Sequence, residues 1–189
     1  RGREKEVVNK LAIIEESKPK YLEDYLKYKY KLIEDKFNLF SKGDQLYDRI
    51  KESFDRTINS LKDKGRISPG RKFNLVLYDS CEINAYFVKG SDTVFISKGL
   101  LDELDRYLRK EKSTAISLDH VACILGHEIK HSLQDFNSTL ETWLEKKGDS
   151  RKKEYDADID SLFFVDAAGY NPEAMLDVLD FFIYLEKGL

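Results

Sequence analysis

The chain has 189 residues, of which 41% are apolar and 35% are charged, with a formal net charge of −3. This length fits one globular domain, and the apolar fraction is large enough for a hydrophobic core. Basic and acidic residues are mixed along the whole chain, so the charge pattern predicts neither nucleic acid nor an anionic membrane as a partner. The longest apolar run is shorter than the roughly 20 residues of a transmembrane helix. The two cysteines, Cys81 and Cys123, lack the paired spacing of a disulfide framework or a zinc ribbon.

Residues 1–64 are predicted to form an N-terminal helical region that packs on the remainder, residues 65–189. Apolar residues recur there at helical spacing, most clearly in the stripe of Leu46, Ile50, Phe54, Ile58 and Leu61. Gly65, Pro69 and Gly70 then end the helical pattern. We expect both regions to belong to a single globular domain.

Three short β-rich runs follow, at residues 73–78, 83–88 and 93–96. Turn-forming residues at 79–80 and 90–92 separate the runs and predict a small antiparallel sheet made from hairpins. Helical patterns return at residues 100–109 and again up to about residue 136, where either Ser117 or Asp119 could cap the start of the helix. A polar loop then precedes another helical pattern at residues 151–168. Asn171 and Pro172 then open a final helix. The predicted fold class is α+β, predominantly helical.

The segment from His127 to His131 reads H-E-x-x-H, with Glu128 after the first histidine. In a helix, residues four apart lie on one face, so both imidazoles can reach one metal ion. A catalytic zinc site usually takes three protein ligands and leaves a position for water, so a third ligand is needed. His120 is too distant for this role, because seven residues of helix span about 10 Å.

An acidic segment farther along the chain supplies the better third ligand. Glu154 and Asp158 share a helical stripe with apolar residues, whereas Asp156 and Asp160 fall on the opposite flank, where solvated side chains are expected. Inward-facing carboxylates need partners, and a metal site provides them. We therefore predict Glu154 as the third metal ligand. Asp158 is predicted to accept a hydrogen bond from the spare ring N–H of a ligating histidine.

With these motifs in place, the sequence resembles the HtpX-like and CAAX prenyl protease family of zinc metallopeptidases, within the gluzincin group. The resemblance rests on residues 125–131, on Glu154 and Asp158 as an E-x-x-x-D element, and on residues 168–172. It implies a zincin-like fold with one Zn²⁺ per chain. It also implies that the strand containing Asn84, Ala85 and Tyr86 lies along the cleft and binds an extended peptide at its edge.

The function that the resemblance implies is zinc-dependent endopeptidase activity on a protein or peptide substrate, with no nucleic-acid partner. Glu128 would act as the general base toward a zinc-activated water. Tyr86, Tyr155 and Tyr170 remain alternative donors to the developing oxyanion. A second hypothesis is a catalytically inactive zinc-binding module that binds peptides or acts like a chaperone. The resemblance also implies a bacterial cell envelope location, periplasmic or anchored through a segment missing before Arg1.

Overall fold

We analysed a computed structural model of the chain, which describes residue 28 and residues 31–88, 92–136 and 149–188. The predicted helices before residue 28, the turn at residues 90–91 and the polar loop at 137–148 lie outside the described residues. The chain divides into two compact units, Arg1–Lys36 and Phe37–Leu189. In the first unit, residue 28 and residues 31–36 are helical. The predicted division at residue 65 stays a prediction.

The second unit contains five helices and three strands among its described residues. In chain order these are α1 (Gln45–Asp63), β1 (Asn74–Tyr78), β2 (Ala85–Val88), β3 (Thr93–Ser97), α2 (Lys98–Tyr107), a π-helical turn (Leu108–Lys112), α3 (Leu118–Phe136), α4 (Asp149–Ala167) and α5 (Ala174–Gly188). This predominantly helical arrangement with a small sheet confirms the predicted α+β fold class. No helix in the described part of the chain combines the length and the apolar content that a membrane span requires.

The sheet is mixed, and the prediction of an antiparallel sheet made only from hairpins is wrong. The strand order is β1-β3-β2, with β1 parallel to β3 and β2 antiparallel to β3. All five residues of β3 are buried, so β3 takes the central position. The segment after β1 carries the chain to the far edge, and β3 returns between the other two strands. Alternation of apolar residues shows which segments are strands but does not determine their order.

Helix α3 lies at the centre of the unit and contacts α1, α4, α5 and β2. Of the two predicted caps, Ser117 fills the role: its Oγ accepts the Asp119 N–H at 3.2 Å. His120 completes the first turn, because its Nδ1 accepts the Ser117 N–H at 3.0 Å. Residues 121–126 of α3 are all buried, so this helix is enclosed on every side before it reaches the H-E-x-x-H segment.

Helices α3 and α4 approach closely at a glycine. A Cβ placed on Gly126 would lie 3.3 Å from the Ser161 Cβ and 3.4 Å from the Ser161 carbonyl oxygen. Ser161 is itself fully buried, and its hydroxyl donates to the Asp158 carbonyl at 2.7 Å. An ion pair between Lys130 and Asp160 links the same two helices. The small residue therefore determines how near the acidic segment of α4 comes to the histidines of α3.

Candidate metal centre

Three side-chain atoms from α3 and α4 form a small triangle. His127 Nε2 and His131 Nε2 are 2.9 Å apart. Glu154 Oε2 lies 3.3 Å from the first nitrogen and 3.4 Å from the second. Within the described residues, these three form the group whose donor atoms could hold a metal ion. Because α3 presents both imidazoles on one face, the third corner depends on the docking of α4.

The triangle fits a zinc ion in both chemistry and size. Zinc binds imidazole nitrogen and carboxylate oxygen at about 2.0–2.2 Å, and tetrahedral ligands at that radius are about 3.3–3.6 Å apart. Both distances from Glu154 match this spacing, and the distance between the imidazoles is a few tenths of an ångström shorter. Glu154 is 60% exposed, so the third corner lies at the open side of the site instead of facing inward as the helical stripe suggested.

Asp158 lies directly behind His127. Its Oδ1 is 2.8 Å from His127 Nδ1, so the ring N–H at Nδ1 donates to the carboxylate and leaves the Nε2 lone pair facing the triangle. Burial alone lowers the pKa of His127, but the hydrogen bond to Asp158 and the charges of Glu128 and Glu154 outweigh it and raise that pKa. The same negative charge favours a divalent cation at the triangle.

His131 has a corresponding partner that the sequence analysis did not identify. Gln134 Oε1 lies 3.0 Å from His131 Nδ1, and Gln134 Nε2 donates to the Lys153 carbonyl at 2.8 Å. Gln134 follows His131 by three residues in α3 and so lies on the same helical face, which is the signal that could have revealed it. The acceptor on α4 could not be read from the sequence, because it is a backbone atom of another helix.

Glu128 is buried at the side of the triangle, with 8% of its surface exposed. Burial raises the pKa of its carboxyl above the ordinary value, while the two histidines and a backbone hydrogen bond from Phe87 lower it. The net shift is upward, which is the direction that makes a carboxylate a better proton acceptor. Through Phe87, the carboxylate is also tied to strand β2.

A cleft of about 400 Å³ opens beside these residues. His127, Glu128, Glu154 and Asp158 form its polar side. Helix α5 contributes a mostly apolar wall, with Met175, Val178, Leu179 and Phe182, and Glu186 adds a carboxylate. A concave site with a few converging polar groups and an apolar wall is the usual form of a substrate-binding cleft.

The start of strand β2 borders the cleft, which Ala85 and the preceding Asn84 line. The Ser97 N–H donates to the Asn84 carbonyl at 3.0 Å, so Asn84 and Ser97 form a hydrogen-bonded pair. Along an antiparallel strand, the backbone N–H and C=O groups of successive residues point alternately toward the partner strand and away from it. Ala85 and Phe87 are therefore the β2 residues whose backbone groups face the outer edge, while Tyr86 faces β3. The Ser97 hydroxyl also bonds to the Asn84 N–H at 3.1 Å, which holds the start of the strand.

The remaining candidate residues lie elsewhere. His120 is buried at the start of α3 and reaches Asp177 at 3.5 Å, which agrees with its exclusion as a ligand. Cys123 is fully buried beneath the cleft. None of the three candidate oxyanion donors lines the cleft: Tyr86 stacks on Phe95, Tyr155 is exposed, and Tyr170 lies under Arg56. Asp160 pairs with Lys130, in contrast to its predicted solvated position.

Comparison with known proteins gives one family. A search of curated protein sequences finds no match to the chain. Residues 48–141, almost half of the chain, match the model of peptidase family M48. The match includes the H-E-x-x-H helix and ends before Glu154 and Asp158, which the fold brings to the same site. Over the part of the chain that it covers, the match supports a relationship to the M48 family of metallopeptidases.

Proposed function

We propose that the protein is a zinc-dependent metalloendopeptidase. The observation that carries the proposal is the triangle of His127, His131 and Glu154 beside the buried carboxylate of Glu128. Two imidazoles and one carboxylate make the ligand set of many catalytic zinc sites, which leave a fourth position for water. The M48 match supports peptidase activity of this general kind.

Each residue then has a definite task. His127, His131 and Glu154 would hold the ion, and Asp158 would orient the His127 ring through its 2.8 Å hydrogen bond. Zinc supplies a Lewis acid that lowers the pKa of water and polarises a carbonyl group. Glu128 takes the proton from the attacking water and passes it to the leaving amine. Its raised pKa favours uptake of the proton from water.

The cleft favours an extended peptide with apolar side chains. A substrate strand can pair with the outward-facing backbone groups of Ala85 on the edge strand β2. Its side chains would then meet the apolar wall formed by Val178, Leu179 and Phe182. We therefore expect cleavage next to large apolar residues. Within family M48, the sequence motifs resemble those of the HtpX-like and CAAX prenyl protease members.

The test measures zinc content and proteolysis together. Mass spectrometry of the purified wild type, supplied with Zn²⁺, should give one zinc per chain. Glu154→Ala should lose most of the metal, and Glu128→Gln should retain it but lose cleavage of a fluorescent unfolded protein such as casein. The matched control is Glu186→Ala, which removes a cleft carboxylate outside the triangle and should keep the metal.

The outcomes separate the competing functions. A wild type that binds no zinc contradicts the metallopeptidase proposal at its base. Zinc binding without cleavage of any substrate tested indicates the inactive peptide-binding module instead. Cleavage that survives Glu128→Gln contradicts the assignment of the general base.

A further inference from the structure

Gln134 joins both helices of the triangle through one amide group. Its Oε1 lies 3.0 Å from His131 Nδ1, and its Nε2 lies 2.8 Å from the Lys153 carbonyl oxygen. Lys153 is the neighbour of Glu154 in α4. The amide therefore connects His131, one residue of the triangle, to the backbone next to Glu154, another residue of the triangle. Asp158 provides the equivalent contact for His127.

The direction of these bonds follows from chemistry. A carbonyl oxygen can only accept, so the Gln134 atom facing Lys153 must be the nitrogen, and the oxygen must face the imidazole. The imidazole Nδ1 must then carry the proton. A neutral histidine with its proton on Nδ1 has the lone pair on Nε2, which is the atom in the triangle.

We propose that Gln134 is a positioning residue that fixes the His131 tautomer and couples His131 to the Glu154 segment. The inference rests on the proposed zinc site. The Lys153 carbonyl orients the amide, the amide orients the ring, and the ring presents Nε2 to the ion. Partners behind a ligating histidine commonly contribute 10- to 100-fold to metal affinity. Gln134 thus acts through His131 without touching the substrate.

The experiment compares a substitution that removes both bonds of Gln134 with one that removes only the bond to Lys153. Gln134→Leu removes both bonds at similar size. Gln134→Glu keeps an acceptor for the His131 N–H and loses the donor to Lys153. We expect Zn²⁺ affinity, measured by competition with a fluorescent chelator, to fall by about 10- to 100-fold in Gln134→Leu and by less than about fivefold in Gln134→Glu. Gln45→Leu, an exposed glutamine at the start of α1, is the matched control and should bind like wild type.

Thermal unfolding with EDTA reports the folding of each variant without metal. If Gln134→Leu fails to fold, Gln134→Ala replaces it in the same comparison. Equal losses in the leucine and glutamate variants would assign the effect to the Lys153 bond and overturn the tautomer role. Wild-type affinity in Gln134→Leu would overturn the inference and leave the zinc site intact. Absence of zinc binding by wild type would overturn the proposed function and this inference with it.

Discussion

The close approach of α3 and α4 at Gly126 predicts that a larger residue there would weaken zinc binding. In Gly126→Ala the new methyl group would lie 3.3 Å from the Ser161 Cβ and 3.4 Å from its carbonyl oxygen. Carbon atoms prefer about 3.5–4.0 Å, so α4 must move away by a few tenths of an ångström. The neighbouring atoms belong partly to the backbone, so a side-chain rotation cannot relieve the contact. Glu154 and Asp158 would move with α4.

The substitution should therefore affect zinc affinity much more than folding stability. Alanine favours the helix by about 1 kcal/mol over glycine, which offsets the cost of the tight contact, so the unfolding free energy in EDTA should stay within about 1 kcal/mol of wild type. Metal–ligand distances tolerate only about 0.2 Å, so the displaced carboxylate should lower zinc affinity by about tenfold, or about 1.4 kcal/mol. Chelator competition and denaturant unfolding measure the two quantities.

Gly188→Ala is the matched control for this change. It lies at the end of α5, where an added Cβ meets nothing within 4 Å, and should leave zinc affinity unchanged. Wild-type zinc affinity in Gly126→Ala would refute the claim that this contact sets the position of α4. A large loss of stability in EDTA would show instead that the substitution disrupts the core.

Three further predictions concern the surroundings of the site. Burial raises the pKa of Cys123 to about 12, and the unfolded thiol ionises near its ordinary value of 9.0, so only the unfolded state releases this proton between pH 9.0 and about 12. Relative to Cys123→Ala, the unfolding free energy of wild type should therefore fall by about 1.4 kcal/mol per pH unit above pH ~9. An unfolding free energy that changes equally with pH in both proteins would contradict this. Asp158→Asn removes the charged acceptor behind His127 and should reduce zinc affinity by about tenfold in the chelator assay, whereas unchanged affinity would argue against its orienting role. Phe182→Ser should lower kcat/KM on apolar peptides by about tenfold with zinc content unchanged, and equal kcat/KM would remove this side chain from the substrate wall.

The sequence predicted the features that depend on spacing within one helix. The positions of His127 and His131 follow from helical periodicity, and so does the shared face of Glu154 and Asp158. The structure brings the two faces together at distances of 2.8–3.4 Å. A glycine inside a helix, such as Gly126, indicates close packing, and Ser161 is the residue that it contacts.

Features that depend on the meeting of separate elements were not predictable in this way. The parallel pairing of β1 with β3 joins strands that have a third strand between them in sequence. The bond from Phe87 to Glu128 and that from Gln134 to Lys153 both use backbone groups, which every residue type carries. Residue identity gives no signal for such partners, so only the assembled fold reveals them.

Because His127 and His131 come from α3 and Glu154 from α4, the full ligand set exists only in the folded chain. A ligand that binds the folded state alone stabilises it by an amount that grows with the logarithm of its concentration. This amounts to about 2.7 kcal/mol when free zinc is 100 times its dissociation constant. If the chain holds zinc as proposed, zinc supply would affect the lifetime of the protein as well as its activity. Metal starvation would shift molecules toward the unfolded state, where other proteases can degrade them, so the cell would lose idle enzyme instead of storing it.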